Sequence, residues 1–186
     1  MARRFFVGIE LGELAKGEVL RVQGELGKRA GDVYHLVEEE KLHLTLYFCG
    51  DTDEAAMVAI GDRIGGMDLS GFDVRLDGLK RLPADDVPKV LAIGVRSAGR
   101  ELAKLQQRVH DVCFGLSAVQ EIRPYTPHVT FARLSRGVPS NAKIVKRSLA
   151  ALGEITSVEW SVSEVVVWAS EEGRYEVVRR IGLVAL

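Results

Sequence analysis

The 186-residue chain is poor in the residues that would announce metal, redox or membrane chemistry. It holds two cysteines and four histidines, and no Cys/His spacing resembles a zinc site. Cys49 and Cys113 lie far apart among apolar neighbours, so free buried thiols are expected. No apolar run approaches the ~20 residues that cross a bilayer. The apolar stretch after Arg3-Arg4 is too short for a signal peptide, and cytoplasmic residence is the expectation. A net charge of −1 argues against a general nucleic-acid coat protein. There is no Walker-type glycine-rich loop, hence no sign of nucleoside triphosphate use. No cofactor and no metal are expected.

What is present is ordinary in bulk and unusual in pattern. Apolar residues make up 47% and charged residues 27%, enough for one globular domain with a sizeable core. Two short motifs stand out, His43-Leu44-Thr45-Leu46 and His128-Val129-Thr130-Phe131. Side chains alternate along a strand, so each histidine shares a face with its threonine. With four histidines and five threonines, chance predicts about a tenth of one such triplet, so a pair is roughly a one-in-two-hundred event. Two imidazoles can take and give a proton, and two hydroxyls can donate to anionic oxygens. That set suits metal-free attack on a phosphodiester. From Ile122 to Gly153 there is no acidic residue, while Arg123, Arg133, Arg136, Lys143, Lys146 and Arg147 fall within it. This stretch carries the second motif and supplies a field that attracts phosphate.

Periodicity predicts strands over 4–9, 42–49, 72–79, 90–95, 127–133, 157–169 and 175–184. Helices are predicted over 11–29, 52–64, 97–116 and 140–152. In the strand after residue 42, Leu42, Leu44, Leu46 and Phe48 are expected on one face. The order repeats, strand, helix, motif strand, helix, paired strands. We therefore expect an α+β fold of two pseudo-symmetric lobes in one domain over 1–186, with antiparallel sheets, outer helices and a central cleft.

The chain resembles the 2H phosphoesterase superfamily, specifically the RNA 2′,3′-cyclic phosphodiesterases also called 2′–5′ RNA ligases. The resemblance runs from Arg4-Phe5-Phe6-Val7-Gly8-Ile9 through Leu42–Gly50 to the segment Arg123–Arg133, and ends with Trp160, Ser170, Gly173, Tyr175 and Leu183. Cys49 and Phe131, where the family has Leu, are mild departures on the apolar-facing side. The resemblance implies hydrolysis of RNA-terminal 2′,3′-cyclic phosphates to 2′-phosphates in a groove holding both motifs. It implies RNA ends as partner; no membrane partner and a monomer are expected besides.

In this reading His128 activates water and His43 protonates the departing 3′-oxygen, a direction that spacing does not fix. Thr45 and Thr130 donate to the non-bridging oxygens. Arg133, five residues after His128, would face away from it in an uninterrupted strand. The family match favours a phosphate-binding role, which requires the strand to end or bend near Ala132. Tyr125 and Phe6 are candidates for stacking on a base or lining the groove, and core packing is an equal alternative for both. Arg123 is a second phosphate candidate. His35 and His110 lack the threonine, and His110 is expected on the surface. Residues 38–41 are expected as a solvated loop at the cleft mouth. Two other functions stay open, 2′–5′ ligation or cleavage as the main activity, and nucleotide or RNA binding without turnover.

Overall fold

The computed structural model describes residues 3–137 and 142–185. The elements are β1 (Arg4–Glu10), α1 (Glu13–Ala30), β2 (Tyr34–Leu36), a 3₁₀ turn (Glu39–Lys41), β3 (His43–Asp51), α2 (Glu54–Gly65), β4 (Phe72–Leu82), β5 (Val90–Ser97), α3 (Glu101–Cys113), β6 (His128–Leu134), α4 (Ala142–Ala150), β7 (Glu159–Val162), β8 (Glu164–Glu171) and β9 (Arg174–Gly182). The strands form one sheet, ordered β7-β4-β5-β6-β3-β1-β8-β9, with β2 added beside β6. Pairing between these strands is antiparallel throughout. The two expected lobes are thus halves of a single sheet, joined where β3 meets β6.

The helices cover one face of the sheet. In β1, Phe5, Val7 and Ile9 enter the main core, as the alternation predicts. The α3 face of Leu102, Leu105, Val109 and Val112 is buried there too, each residue worth roughly 1.5–3 kcal/mol of transfer free energy. Phe6, Val166 and Trp168 form a separate cluster. They lie on the opposite, open face.

Several boundaries move for identifiable reasons. The strand expected over 157–169 is two strands. β7 pairs with β4 and β8 with β1, so the chain crosses between the halves at Ser163. Thr52 does not open α2. Its hydroxyl donates to Cys49 O at 2.7 Å, and Asp53 caps the helix by accepting from Ala56 N at 2.8 Å. In α1, Leu14 points to solvent, and the polar Glu18 and Gln23 are buried in its place. β2 and the 3₁₀ turn are three residues each, too short for periodicity to reveal. The start of the last helix expected at Ser140 lies outside the described residues. Cys49 and Cys113 are buried and free, as expected.

The face predicted for β3 holds only in its first half. Leu42, Leu44 and Leu46 are buried, but Phe48 is 42% exposed while Tyr47 and Cys49 are buried. The register explains the change. Val7 pairs with Tyr47 and Gly8 with Thr45, leaving Leu46 as an extra residue. A bulge of one residue reverses the alternation beyond it.

Candidate functional site

His43 is the first residue of β3 and His128 the first of β6. The two strands share the pair Leu44 with Val129. One step either side of that pair sets His43 opposite Thr130 and Thr45 opposite His128. Antiparallel pairing alone therefore builds a two-fold arrangement of imidazoles and hydroxyls on the open face.

Both imidazoles are anchored alike. His43 Nδ1–H donates to Lys41 O at 2.7 Å, and His128 Nδ1–H donates to Thr126 O at 2.6 Å. In each case the acceptor is the carbonyl two residues earlier. This fixes the tautomer and leaves Nε2 as the ring nitrogen able to accept a proton. The threonines differ. Thr45 Oγ1 lies 2.9 Å from His43 Nε2, so its hydroxyl donates to the imidazole rather than standing ready for a phosphate. Thr130 is half-buried on the same face.

A second bulge settles Arg133. Leu91 pairs with Ala132 and Ala92 with Thr130, so Phe131 is the extra residue. The alternation reverses after it, which puts Arg133 on the face of His128 and Thr130. Its guanidinium is near enough to His43 to disfavour protonation there. It holds no ion pair among the described residues. His35, which lacks a threonine partner in sequence, sits beside Arg133 through the β2–β6 ladder.

The two bulges fall at the same place, directly after each His-x-Thr, and glutamines from α1 and α3 reach both. Gln23 Nε2 donates to Phe131 O at 2.8 Å and to Val37 O at 2.7 Å. Gln106 Nε2 donates to Leu46 O at 3.4 Å. A glutamine amid the apolar stripe of Val19, Val22 and Leu26 was the available sequence signal for Gln23.

His43 is boxed by aromatic rings. Its centroid lies 4.6 Å from Phe6, 5.6 Å from Trp168 and 5.7 Å from Tyr175. Burial pushes its pKa down from the usual 6.5 to about 4, with the charges of Arg133 and His128 adding to the effect and the Lys41 carbonyl opposing it. Phe6 is itself buried beneath the ring and stacked on Trp168 at 5.1 Å. It is a wall of the histidine box, not an open surface for a base. Trp168 and Tyr175 escaped the sequence reading because only the β1–β8–β9 register brings them to His43.

Tyr125 is likewise committed. It packs against the core, its hydroxyl donates to Thr45 O at 3.1 Å, and burial raises its pKa. Arg123 stands at the groove rim, paired with Glu121 through Nε at 2.9 Å and Nη2 at 3.1 Å. Residues 38–41 do lie at a cleft mouth, with Glu39 and Glu40 lining a cavity that reaches His43. His110, expected on the surface, is partly exposed and lines the groove. It is half-buried, stacks on Phe114 and bonds to Glu121 O at 3.0 Å.

Lys80 was not anticipated. It pairs with Ala92 and leans across Gly94, the register partner of His128. A Cβ at Gly94 would come 2.6 Å from Asp77 O and 2.7 Å from Lys80 Cε, so the glycine makes room for the β4 backbone and the lysine stem together. Lys80 is half-buried with no ion pair among the described residues. It brings a second cation to the β6 side of the cleft.

Residues 18–174 match the model of the 2′-5′ RNA ligase superfamily. The chain is 30% identical over 178 residues to an RNA 2′,3′-cyclic phosphodiesterase of Methanothermobacter thermautotrophicus, covering 92% of this chain and 91% of that one. It is 31% identical over 112 residues to one from Aeropyrum pernix, covering 59% of this chain and 64% of the relative. Among solved structures it is similar to a protein of Thermus thermophilus, with a TM-score of 0.78 at 22% identity and 98% of each chain covered. It is also similar to Escherichia coli LigT complexed with 3′-AMP, with a TM-score of 0.77 at 22% identity, covering 97% of this chain and 98% of that one. These likenesses bear out the expected fold.

Proposed function

Because the chain belongs to the 2′-5′ RNA ligase superfamily, we propose that it hydrolyses RNA-terminal 2′,3′-cyclic phosphates to 2′-phosphates without a metal. The observation that carries this reading is the register of Leu44 with Val129, which brings two anchored imidazoles to one cleft beside Arg133. Relatives named RNA 2′,3′-cyclic phosphodiesterase support it.

Water attacks phosphorus, one imidazole takes the water proton, and the P–O3′ bond breaks as the other protonates the 3′-oxygen. The products are a 2′-phosphate and a 3′-hydroxyl. The environment of His43 supports the reverse of the direction expected from the sequence. With its pKa held near 4, His43 is neutral at pH 7 and offers Nε2 as the base. His128, which has no aromatic box, then serves as the acid. Arg133 binds the non-bridging oxygens through a guanidinium suited to two-point contact. Lys80 adds charge on the same side. Thr130 donates to the phosphate directly, and Thr45 does so once its hydroxyl turns from His43.

The test is incubation with an oligonucleotide ending in a 2′,3′-cyclic phosphate, in excess EDTA, with product identification. A 2′-phosphate end is expected. A 3′-phosphate end would overturn the proposed P–O3′ cleavage. Loss of activity in EDTA that added metal restores would overturn the metal-free scheme. Tight binding without product would move the protein to the binding class.

A further inference from the structure

We propose that the groove leading from the catalytic pair to the end of α3 binds the nucleotide on the 5′ side of the reacting one, making single-stranded RNA the preferred substrate over a cyclic mononucleotide. The inference rests on the reading above and specifies its substrate. The cavity measures about 860 Å³ and runs from Thr45 and His128, past Phe48, to Phe114, Ile122 and Arg123. Its lining takes in Thr45 and His128 and extends well beyond them.

Its far end is built as a platform. His110 stacks on Phe114 with centroids 5.3 Å apart and planes 22° apart. The imidazole is held in place by its bond to Glu121 O and by the edge of Tyr47 at 5.6 Å. Phe114 keeps 46% of its surface exposed, and Ile122 beside it keeps 84%. A rigid, half-exposed ring next to an exposed aliphatic side chain is the surface on which a base stacks, whatever its identity.

Charge decides which way the strand leaves. The other mouth, a cavity of about 260 Å³ against His43, is lined by Glu10, paired with Arg180, by Glu13, paired with Lys16, and by Glu39 and Glu40, which hold no ion pair among the described residues. A phosphodiester backbone is repelled there. The long groove holds one carboxylate, Glu121, paired with Arg123. The upstream phosphate meets no uncompensated anion on that path.

The experiment compares a 2′,3′-cyclic mononucleotide with a trinucleotide bearing the same end, using wild type, Phe114→Ala and Phe114→Trp. Dissociation constants of the unreactive 3′-phosphorylated mono- and trinucleotide are measured alongside kcat/KM. Wild type is expected to favour the trinucleotide by roughly tenfold or more, the scale of one stacked base. Phe114→Ala removes that preference and leaves the mononucleotide unaffected, while Phe114→Trp retains it. Equal treatment of the two lengths by wild type overturns the proposal. So does a Phe114→Ala loss that is the same for both lengths, which marks a structural role. Absent turnover with Phe114-dependent trinucleotide binding leaves the subsite standing and overturns the phosphodiesterase reading instead.

Discussion

The two halves of the cleft share a backbone and differ in what surrounds it. Each half opens a strand with a histidine whose Nδ1–H donates to the carbonyl two residues back. Each has a bulge directly after its His-x-Thr, reached by a glutamine from a helix behind the sheet. Five residues after each histidine the bulge turns a side chain onto the open face, Phe48 in one half and Arg133 in the other. Around His43 the neighbours are Phe6, Trp168 and Tyr175. Around His128 they are Gly94, with Lys80 across it, and Ala92 beside Thr130. The repeated geometry anchors two imidazoles alike, and the unrepeated linings make the surroundings of one aromatic and bring the lysine stem near the other. In the proposed scheme the aromatic box alone sets the base apart, since acid and base are the same residue type.

The comparison is broken most severely by removing either imidazole. His43→Ala and His128→Ala are each expected to slow single-turnover hydrolysis about 10²–10⁴-fold. A rate that survives both substitutions would end the two-histidine scheme. Arg133→Ala attacks one half only. Loss of a charged hydrogen-bond donor, about 1.5–3 kcal/mol, predicts a KM roughly ten- to a hundredfold higher. Steady-state kinetics with KM and kcat both unchanged would reject the phosphate role.

Gln23 gives a finer cut. Gln23→Leu removes the side-chain bond to the bulged Phe131 carbonyl, which keeps its second donor, Val37 N at 2.9 Å. The bulge then holds Arg133 less firmly, and KM is expected to rise several-fold while kcat changes little. The double variant with Arg133→Ala should add nothing further to KM, since both act through one guanidinium. Full additivity would show that Gln23 acts elsewhere.

The site was legible where its signal was local. The two triplets placed both histidines and both threonines, and the repeated order of elements gave the two-lobed α+β architecture. Signals that depend on register were not legible. Spacing alone put Arg133 on the wrong face, at an odd offset from His128; the resemblance singled it out and required a bend near Ala132, and the bulge at Phe131 supplies it. The same blindness placed Phe48 with the buried leucines. Phe6 and Tyr125 stayed open between groove and core because composition cannot say that one lies under His43 and the other bonds to Thr45 O. The expected strand over 157–169 hid a crossing between halves, because residues on both sides of Ser163 have the same strand-like pattern. Lys80 needed the β4–β5 register and the missing side chain of Gly94 to be seen at all.

The smallest effect tests the difference in lining directly. If His43 is the base, kcat/KM of the free enzyme falls on acidification as that imidazole takes a proton, near pH 4. Burial is the main cause of that low value, so admitting water must raise it. Tyr175 is the box member to remove, since it is 37% exposed and meets His43 at the ring edge, so its loss does not hollow the core. Tyr175→Ser should move the acidic limb upward by roughly half to one pH unit, while the rate at pH 8 stays close to wild type. At pH 5 the variant is then slower relative to wild type than at pH 8. An acidic limb that does not move would mean that another group titrates there, and the base would have to be sought at His128.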